Sequence, residues 1–314
     1  MKLTVLNLEP ENYSSKAVSL LTKDFSYHSA NNQNLDKAKI HGIITRLGYH
    51  LDKNFLKNFN NLKFIATNTT GLNHIDVEYA KHNKIEIISL KGETNFLKKI
   101  SPTAEHTFGL ILALAKKYNT NFDLAKKSQW DREKYLGTTL RGKTIGIIGM
   151  GRIGKMVAKY SDGFGMKIIY SDTKKIKSKY KQVSFKQILK LADILTIHIP
   201  YSKNSVNLLS EKEFLLMKKN CILINTSRGG LVNEKALIDW LQCNPNSSAA
   251  LDVIQGEEKW QKKIPSNNII SDYLKKYDNL IVTPHIGGAC PDAMRITEEF
   301  IAQKIIKKYK KLDK

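Results

Sequence analysis

Apolar residues recur along the chain in two rhythms. Short runs of aliphatic and β-branched residues at 3–6, 41–45, 63–67 and 85–88, and again at 144–148, 167–171, 193–198, 221–225, 249–253 and 279–283, predict strands. Between them, helical patterning falls near 14–21, 52–59, 76–82 and 155–160. Ser184-x-x-Gln187 and Ser210-x-x-Glu213 have the form of capping boxes that open two further helices. Ser101-Pro102 opens a long helix to about residue 118, with apolar Phe108, Ile111, Leu112 and Ala115, a bridge between two halves of the chain. A last helix starts near Pro291 and repeats Ile301, Ile305, Tyr309 and Leu312 at helical spacing. Its lysines, Lys304, Lys307, Lys308, Lys310 and Lys311, read as a solvated face, with a membrane surface as the alternative. Residues 257–278 are polar and irregular and read as an insertion. Strands alternating with helices predict parallel sheets.

One of those alternations carries a fingerprint. The strand pattern at 144–148 runs into Gly149-Met150-Gly151-Arg152-Ile153-Gly154, and a helical stretch follows at once. The first glycine of such a turn permits the bend, the second lets backbone approach a pyrophosphate, and the third lets helix pack on strand. The helix N–H groups then face the phosphates. The next strand ends in Asp172, eighteen positions after Gly154. A carboxylate there accepts from ribose hydroxyls and repels a 2′-phosphate, which favours NAD over NADP.

At 314 residues the chain suits two domains. Its 51 Lys and Arg against 29 Asp and Glu give +22, but the excess is mostly lysine spread along the whole length. A nucleic-acid surface would cluster Arg and Lys with aromatics on one face, so that role is disfavoured, whereas steering of an anionic substrate is not. No apolar run reaches the ~20 residues of a membrane span. The first residues read as a strand rather than a signal peptide, which makes the cytoplasm the expected compartment. Cys221, Cys243 and Cys290 form no CxxC pair or disulfide framework, and no metal ligands are assigned.

Three ionisable residues follow strands in the glycine-rich half: Arg228, Glu257 and His285. Strand ends in such a sheet converge on the nucleotide crevice. Arginine can hold a carboxylate bidentately and polarise a carbonyl, and a histidine steadied by a carboxylate can exchange a hydroxyl proton. Together they suit hydride transfer at a carbon bearing a hydroxyl next to a carboxylate. In the first half, Thr45-Arg46-Leu47-Gly48 and Asn68-Thr69-Thr70-Gly71-Leu72-Asn73 are polar loops at strand ends, where open sheets place ligands.

From about residue 43 to 302 the chain resembles the D-isomer-specific 2-hydroxyacid dehydrogenases. The resemblance is carried by Gly149 to Gly154, by Ile224-Asn225-Thr226-Ser227-Arg228-Gly229-Gly230-Leu231-Val232-Asn233-Glu234, by Leu251-Asp252-Val253 with Glu257, and by Thr283-Pro284-His285-Ile286-Gly287-Gly288. It implies an α/β protein of two Rossmann-like or flavodoxin-like doubly wound parallel-sheet domains with a cleft between them. Residues 1–100 plus 289–314 would form a discontinuous substrate-binding (catalytic) domain, and 101–288 the NAD-binding Rossmann domain. It implies catalysis by Arg228, Glu257 and His285, with Arg228 on the substrate carboxylate and Glu257 paired to the acid/base His285. It implies NAD contacts from Gly149, Gly151, Arg152, Ile153, Gly154 and Asp172, from His198 and Pro200, from Thr226, Ser227 and Arg228, and from Asp252 at the nicotinamide amide, His285 and Gly287. Substrate contacts would come from Arg46, Thr70, Gly71, Leu72, Arg228 and His285, and the helix from Ser101 resembles a dimer-forming one. The implied activity interconverts a small anionic 2-keto acid and its D-2-hydroxy acid. An NAD-sensing binding protein of corepressor type and a phosphite dehydrogenase share this scaffold and stay open at this point. Glu258 stands where a proline is usual, and the segment from Glu257 to His285 is longer than usual, which leaves the position of Glu257 to be fixed by structure.

Overall fold

A computed structural model describes residues 2–30, 35–133, 136–260 and 263–310. They divide into two compact units, 1–100 with 289–314, and 101–288.

The first unit holds five strands, β1 (Thr4–Asn7), β2 (Ser26–Ser29), β3 (Gly42–Thr45), β4 (Phe64–Thr67) and β5 (Glu86–Ile88). They pair in parallel in the order β2-β1-β3-β4-β5, the flavodoxin-like doubly wound arrangement. Side chains alternate across the sheet. Val5, Ile44, Phe64 and Ala66 pack with Ala17, Leu21, Ile301, Ala302 and Ile305 of the Ser15–Asp24 and Pro291–Tyr309 helices. Leu6, Ile43 and Ile65 pack the other face with Leu56, Phe59 and Ala80. The edge strand β2 reads Ser-Tyr-His-Ser, half-buried throughout, so no apolar run predicts it. On the last helix Lys304, Lys308 and Lys310 pair with Glu93, Glu86 and Asp24, so those three ammonium groups brace the unit. Lys311 and Leu312 lie outside the described residues.

The second unit holds β6 (Thr144–Ile148), β7 (Lys167–Ser171), β8 (Lys181–Gln182), β9 (Ile194–Ile197), β10 (Ile222–Asn225), β11 (Ser248–Leu251) and β12 (Leu280–Val282). All seven pair in parallel in the order β12-β11-β10-β9-β6-β7-β8, which reverses direction between β6 and β9. Ligands bind such sheets beyond the strand ends at that reversal. The Pro102–Ala115 helix buries Phe108, Ile111, Leu114 and Ala115 against Ile145, Ile147, Ile224 and Ala250. It stops short of residue 118 because Lys117 is left-handed at φ 54°, and a separate helix, Tyr118–Lys126, follows. Ser184 and Gln187 form the expected reciprocal cap, and Glu213 accepts the Ser210 N–H at 3.1 Å. The stretch 257–278 is less irregular than its composition predicts. It carries a helix, Ile269–Leu274, whose buried anchors are Ile270 and Tyr273, with Leu274 partly buried beside them, too short a stretch to set a period.

Candidate active site

The glycine turn is built as its spacing requires. Gly149 sits at φ +92°, and a Cβ there would lie 2.6 Å from the His198 carbonyl oxygen; a Cβ on Gly154 would lie 2.1 Å from the Gly149 oxygen. Gly151 instead faces open space, with nothing within 4 Å of where its Cβ would stand. It caps the Arg152–Gly163 helix without any side-chain hydrogen bond, so the terminal N–H groups and the helix dipole stay directed at that space. Asp172 closes the far side: one oxygen accepts the Met150 N–H at 2.9 Å and the other the Lys174 N–H at 2.9 Å. Each oxygen keeps a lone pair for a ribose hydroxyl. This donor set fits a dinucleotide pyrophosphate and its adenosine ribose. Arg152 is half-buried, and burial lowers its pKa without discharging it. Ile153 packs on the core beneath the turn. His198 shares a 2.9 Å hydrogen bond with Thr196, and desolvation pushes its pKa down to about 3, so the ring is neutral. Pro200 is exposed just beyond. The Ser227 hydroxyl donates to the Ile197 carbonyl at 2.6 Å and ties the β9 and β10 ends together.

Beyond β10, β11 and β12 the three ionisable groups meet. His285 Nδ1 lies 2.6 Å from Glu257 Oε1, while the second Glu257 oxygen accepts the Ile254 N–H at 3.2 Å. The longer segment after Glu257 therefore does not displace it. Its short turn Glu257–Lys259 is launched by Gly256 at φ +79°. Arg228 lies close enough to Glu257 for the carboxylate to offset part of what burial does to the guanidinium, which lowers its pKa. Arg228 Nη1 also donates to the Ser227 carbonyl at 2.6 Å. With Nδ1 committed to Glu257, the imidazole has Nε2 left for proton exchange.

In the first unit the two polar loops differ. Among the described residues, none of the Thr70, Gly71 and Leu72 N–H groups has an acceptor within the protein. The Thr69 hydroxyl pins that loop by donating to the Gly71 carbonyl at 2.7 Å. The loop at 45–48 already holds an anion of its own. Glu9 accepts the Arg46 N–H at 2.5 Å, the Thr45 hydroxyl at 2.9 Å and the Gly48 N–H at 3.1 Å. The Arg46 guanidinium donates to the Glu9 and Glu11 carbonyls at 2.8 and 2.7 Å and stands 3.5 Å from Glu298, a fully buried carboxylate. Arg46 is thus spent on its own unit, because Glu298 would otherwise be an uncompensated buried charge.

Asp252 also has a task that spacing does not disclose. It is 1% exposed. Its carboxylate accepts the Thr283 hydroxyl at 2.6 Å, the Ile286 N–H at 2.9 Å and the Gly287 N–H at 2.8 Å, with His106 Nε2 at 3.2 Å. Three of these contacts fall on Oδ1 and one on Oδ2, so the carboxylate expected at the nicotinamide amide also braces the loop after β12. Thr226, 6% exposed, shares a 2.7 Å hydrogen bond with Thr107. His106 and Thr107 carry no motif, and only the one-turn spacing of Thr103, His106 and Thr107 on a helix start marks a shared face.

The family model described as "D-isomer specific 2-hydroxyacid dehydrogenase, NAD binding domain" matches residues 108–287. A glyoxylate reductase of Thermococcus litoralis is 34% identical over 285 residues, 87% of this chain and 82% of that protein. A D-3-phosphoglycerate dehydrogenase of Archaeoglobus fulgidus is 32% identical over 85% of this chain and 49% of its own longer one. The crystal structure of D-lactate dehydrogenase from Aquifex aeolicus, complexed with NAD and lactic acid, superposes with a TM-score of 0.83 at 29% identity, covering 99% of this chain and 96% of that one.

Proposed function

The chain belongs to the D-isomer-specific 2-hydroxyacid dehydrogenases, NAD-dependent oxidoreductases of 2-hydroxy acids, and on that premise we propose that Arg228, Glu257 and His285 carry the reaction. Bound NADH supplies the hydride. Arg228 holds the carboxylate of a 2-keto acid and polarises its carbonyl. As the C–H bond forms, the carbonyl π bond breaks and its oxygen takes the proton from His285 Nε2. Glu257 keeps the ring oriented through its contact with Nδ1. Oxidation of the D-2-hydroxy acid runs the same steps backwards. The observation that carries this reading is the 2.6 Å His285–Glu257 contact with Arg228 beside it. All three groups are what a sensor of NAD alone does not need. Reduction of a panel of 2-keto acids, among them glyoxylate, pyruvate and sugar-derived acids, followed as NADH oxidation, tests it; a protein that binds NADH but turns over none of them rules it out.

Cofactor choice follows from Asp172. Asp172→Asn keeps an acceptor for the Met150 N–H but removes the charge. NADH affinity should fall and NADPH affinity rise, changing their ratio by about a hundredfold on losing charge-assisted bonds of about 1.5–3 kcal/mol. Titration of both nucleotides by fluorescence reads the change.

The segment after the Pro102–Ala115 helix supports assembly into a homodimer. Trp130 is 94% exposed, Leu136 65% and Phe122 59%, a concentration of large apolar groups that a partner would cover. Light scattering should give twice the chain mass, and Trp130→Ala with Phe122→Ser should shift the population towards monomer on dilution.

A further inference from the structure

The Pro102–Ala115 helix opens with Thr103, His106 and Thr107 on one face, and that face meets the ends of three neighbouring strands. Thr107 bonds Thr226, just past β10, at 2.7 Å. His106 Nε2 lies 3.0 Å from Thr283, just past β12, and 3.2 Å from Asp252, just past β11. Protons can be assigned along this chain. The Thr283 hydroxyl has a single hydrogen and donates it to Asp252 Oδ1 at 2.6 Å. Its contact with His106 is then made as an acceptor, so Nε2 carries a proton, shared between Thr283 and Asp252.

What Asp252 holds in turn is the segment bearing His285. That residue is left-handed, φ 53°, a conformation that costs a non-glycine residue about 1–3 kcal/mol and persists only where its surroundings over-determine it. Here they do: the His285 N–H donates to the Asp252 and Thr283 carbonyls at 2.8 and 2.9 Å, and the next two N–H groups close on the Asp252 carboxylate. Even a Cβ on Gly287 would stand 2.7 Å from that carboxylate. The strained backbone at His285 thus rests on Asp252, and Asp252 on Thr283 and His106.

We propose that His106 is a positioning residue: its Nε2 proton, through Thr283 and Asp252, holds the left-handed segment that presents His285 to the substrate. The proposal rests on the reaction assigned above. Its test compares His106→Gln, which keeps an N–H donor, His106→Leu, which removes it, and Thr283→Val, which keeps the shape but breaks the relay. His106→Leu and Thr283→Val should lower kcat about thirty- to a hundredfold, as misplacement of a reacting group by about 1 Å does, with NADH affinity changed far less. His106→Gln should recover to within about threefold of the parent. A second readout needs no turnover: the downfield proton resonance of the short Nδ1–Glu257 hydrogen bond should persist in the parent and in His106→Gln and vanish or shift in the other two. Unchanged kcat and resonance in His106→Leu and Thr283→Val overturn the proposal, as does His106→Gln failing as badly as His106→Leu. Should His106→Leu not fold, Thr283→Val decides alone. A parent that turns over no 2-keto acid defeats the assigned reaction, and the resonance still decides the positioning.

Discussion

His285→Ala is expected to lower kcat for 2-keto acid reduction by about three orders of magnitude, within the 10²–10⁴ that a positioned general acid supplies, while NADH affinity stays within about threefold. The reason is where the two functions reside. The turn at Gly149 and the start of the Arg152–Gly163 helix, with their N–H groups, are what would hold the pyrophosphate, and His285 makes no contact there. Its Nδ1 is taken by Glu257, and its N–H is fixed by the Asp252 and Thr283 carbonyls, which an alanine would still satisfy. Removing the ring deletes the proton donor and leaves the loop's backbone bonds in place. The change also relieves a β-substituted side chain at φ 53° no more than any other non-glycine would, so the melting temperature should hardly move. Glu257→Gln keeps a hydrogen-bonding group beside the ring but turns a charge-assisted contact into a neutral one that orients the ring less firmly, and a smaller loss, about tenfold, is expected. Stopped-flow measurement of the hydride step with saturating NADH separates the two effects. Loss of NADH binding in His285→Ala, or retention of its turnover, would remove His285 from the role of acid.

Much of this is legible in the sequence alone, and the parts that are not share a cause. The strands buried on both faces are short apolar runs, and a run such as Ile145 to Ile148 announces itself. The edge strands β2 and β8 do not, because an edge needs only backbone pairing on one side and tolerates polar side chains. Helix ends escape the pattern where a single residue leaves the right-handed region, as at Lys117. The grouping of Arg228, Glu257 and His285 is legible because strand ends of a doubly wound sheet converge, so three distant motifs fall together by topology alone. What spacing cannot show is which acceptor a donor chooses. Arg46 lies at a strand end, as a substrate contact should, yet its guanidinium is claimed by Glu298 and two carbonyls of its own unit. Asp252 likewise is claimed by the loop after β12. His106 stands on a helix rather than a strand end, and only its partners reveal it.

Arg228→Lys should be almost as damaging as Arg228→Ala, each lowering kcat/KM for the keto acid by about 10²–10⁴. Two charge-assisted hydrogen bonds to a carboxylate are worth about 1.5–3 kcal/mol apiece, about 3–6 kcal/mol in all, and each 1.4 kcal/mol is a factor of ten. A lysine keeps the charge but not the planar fork, so at a bidentate site it recovers only a part. The loss should divide between the constants. The carboxylate is held equally in ground and transition states, so its release raises KM; polarisation of the carbonyl grows as negative charge builds on oxygen, so its loss lowers kcat. A residue that merely bound cofactor phosphate would instead raise KM for NADH and leave the keto acid constants alone. The fold should survive. With the guanidinium gone, Glu257 keeps His285 and the Ile254 N–H, and the Asn225 side chain still caps the backbone carbonyl at position 228. Steady-state constants for both substrates, taken with the melting temperature of each variant, decide it: an unchanged KM and kcat for the keto acid in Arg228→Ala would leave the substrate carboxylate without its proposed partner in this half of the chain.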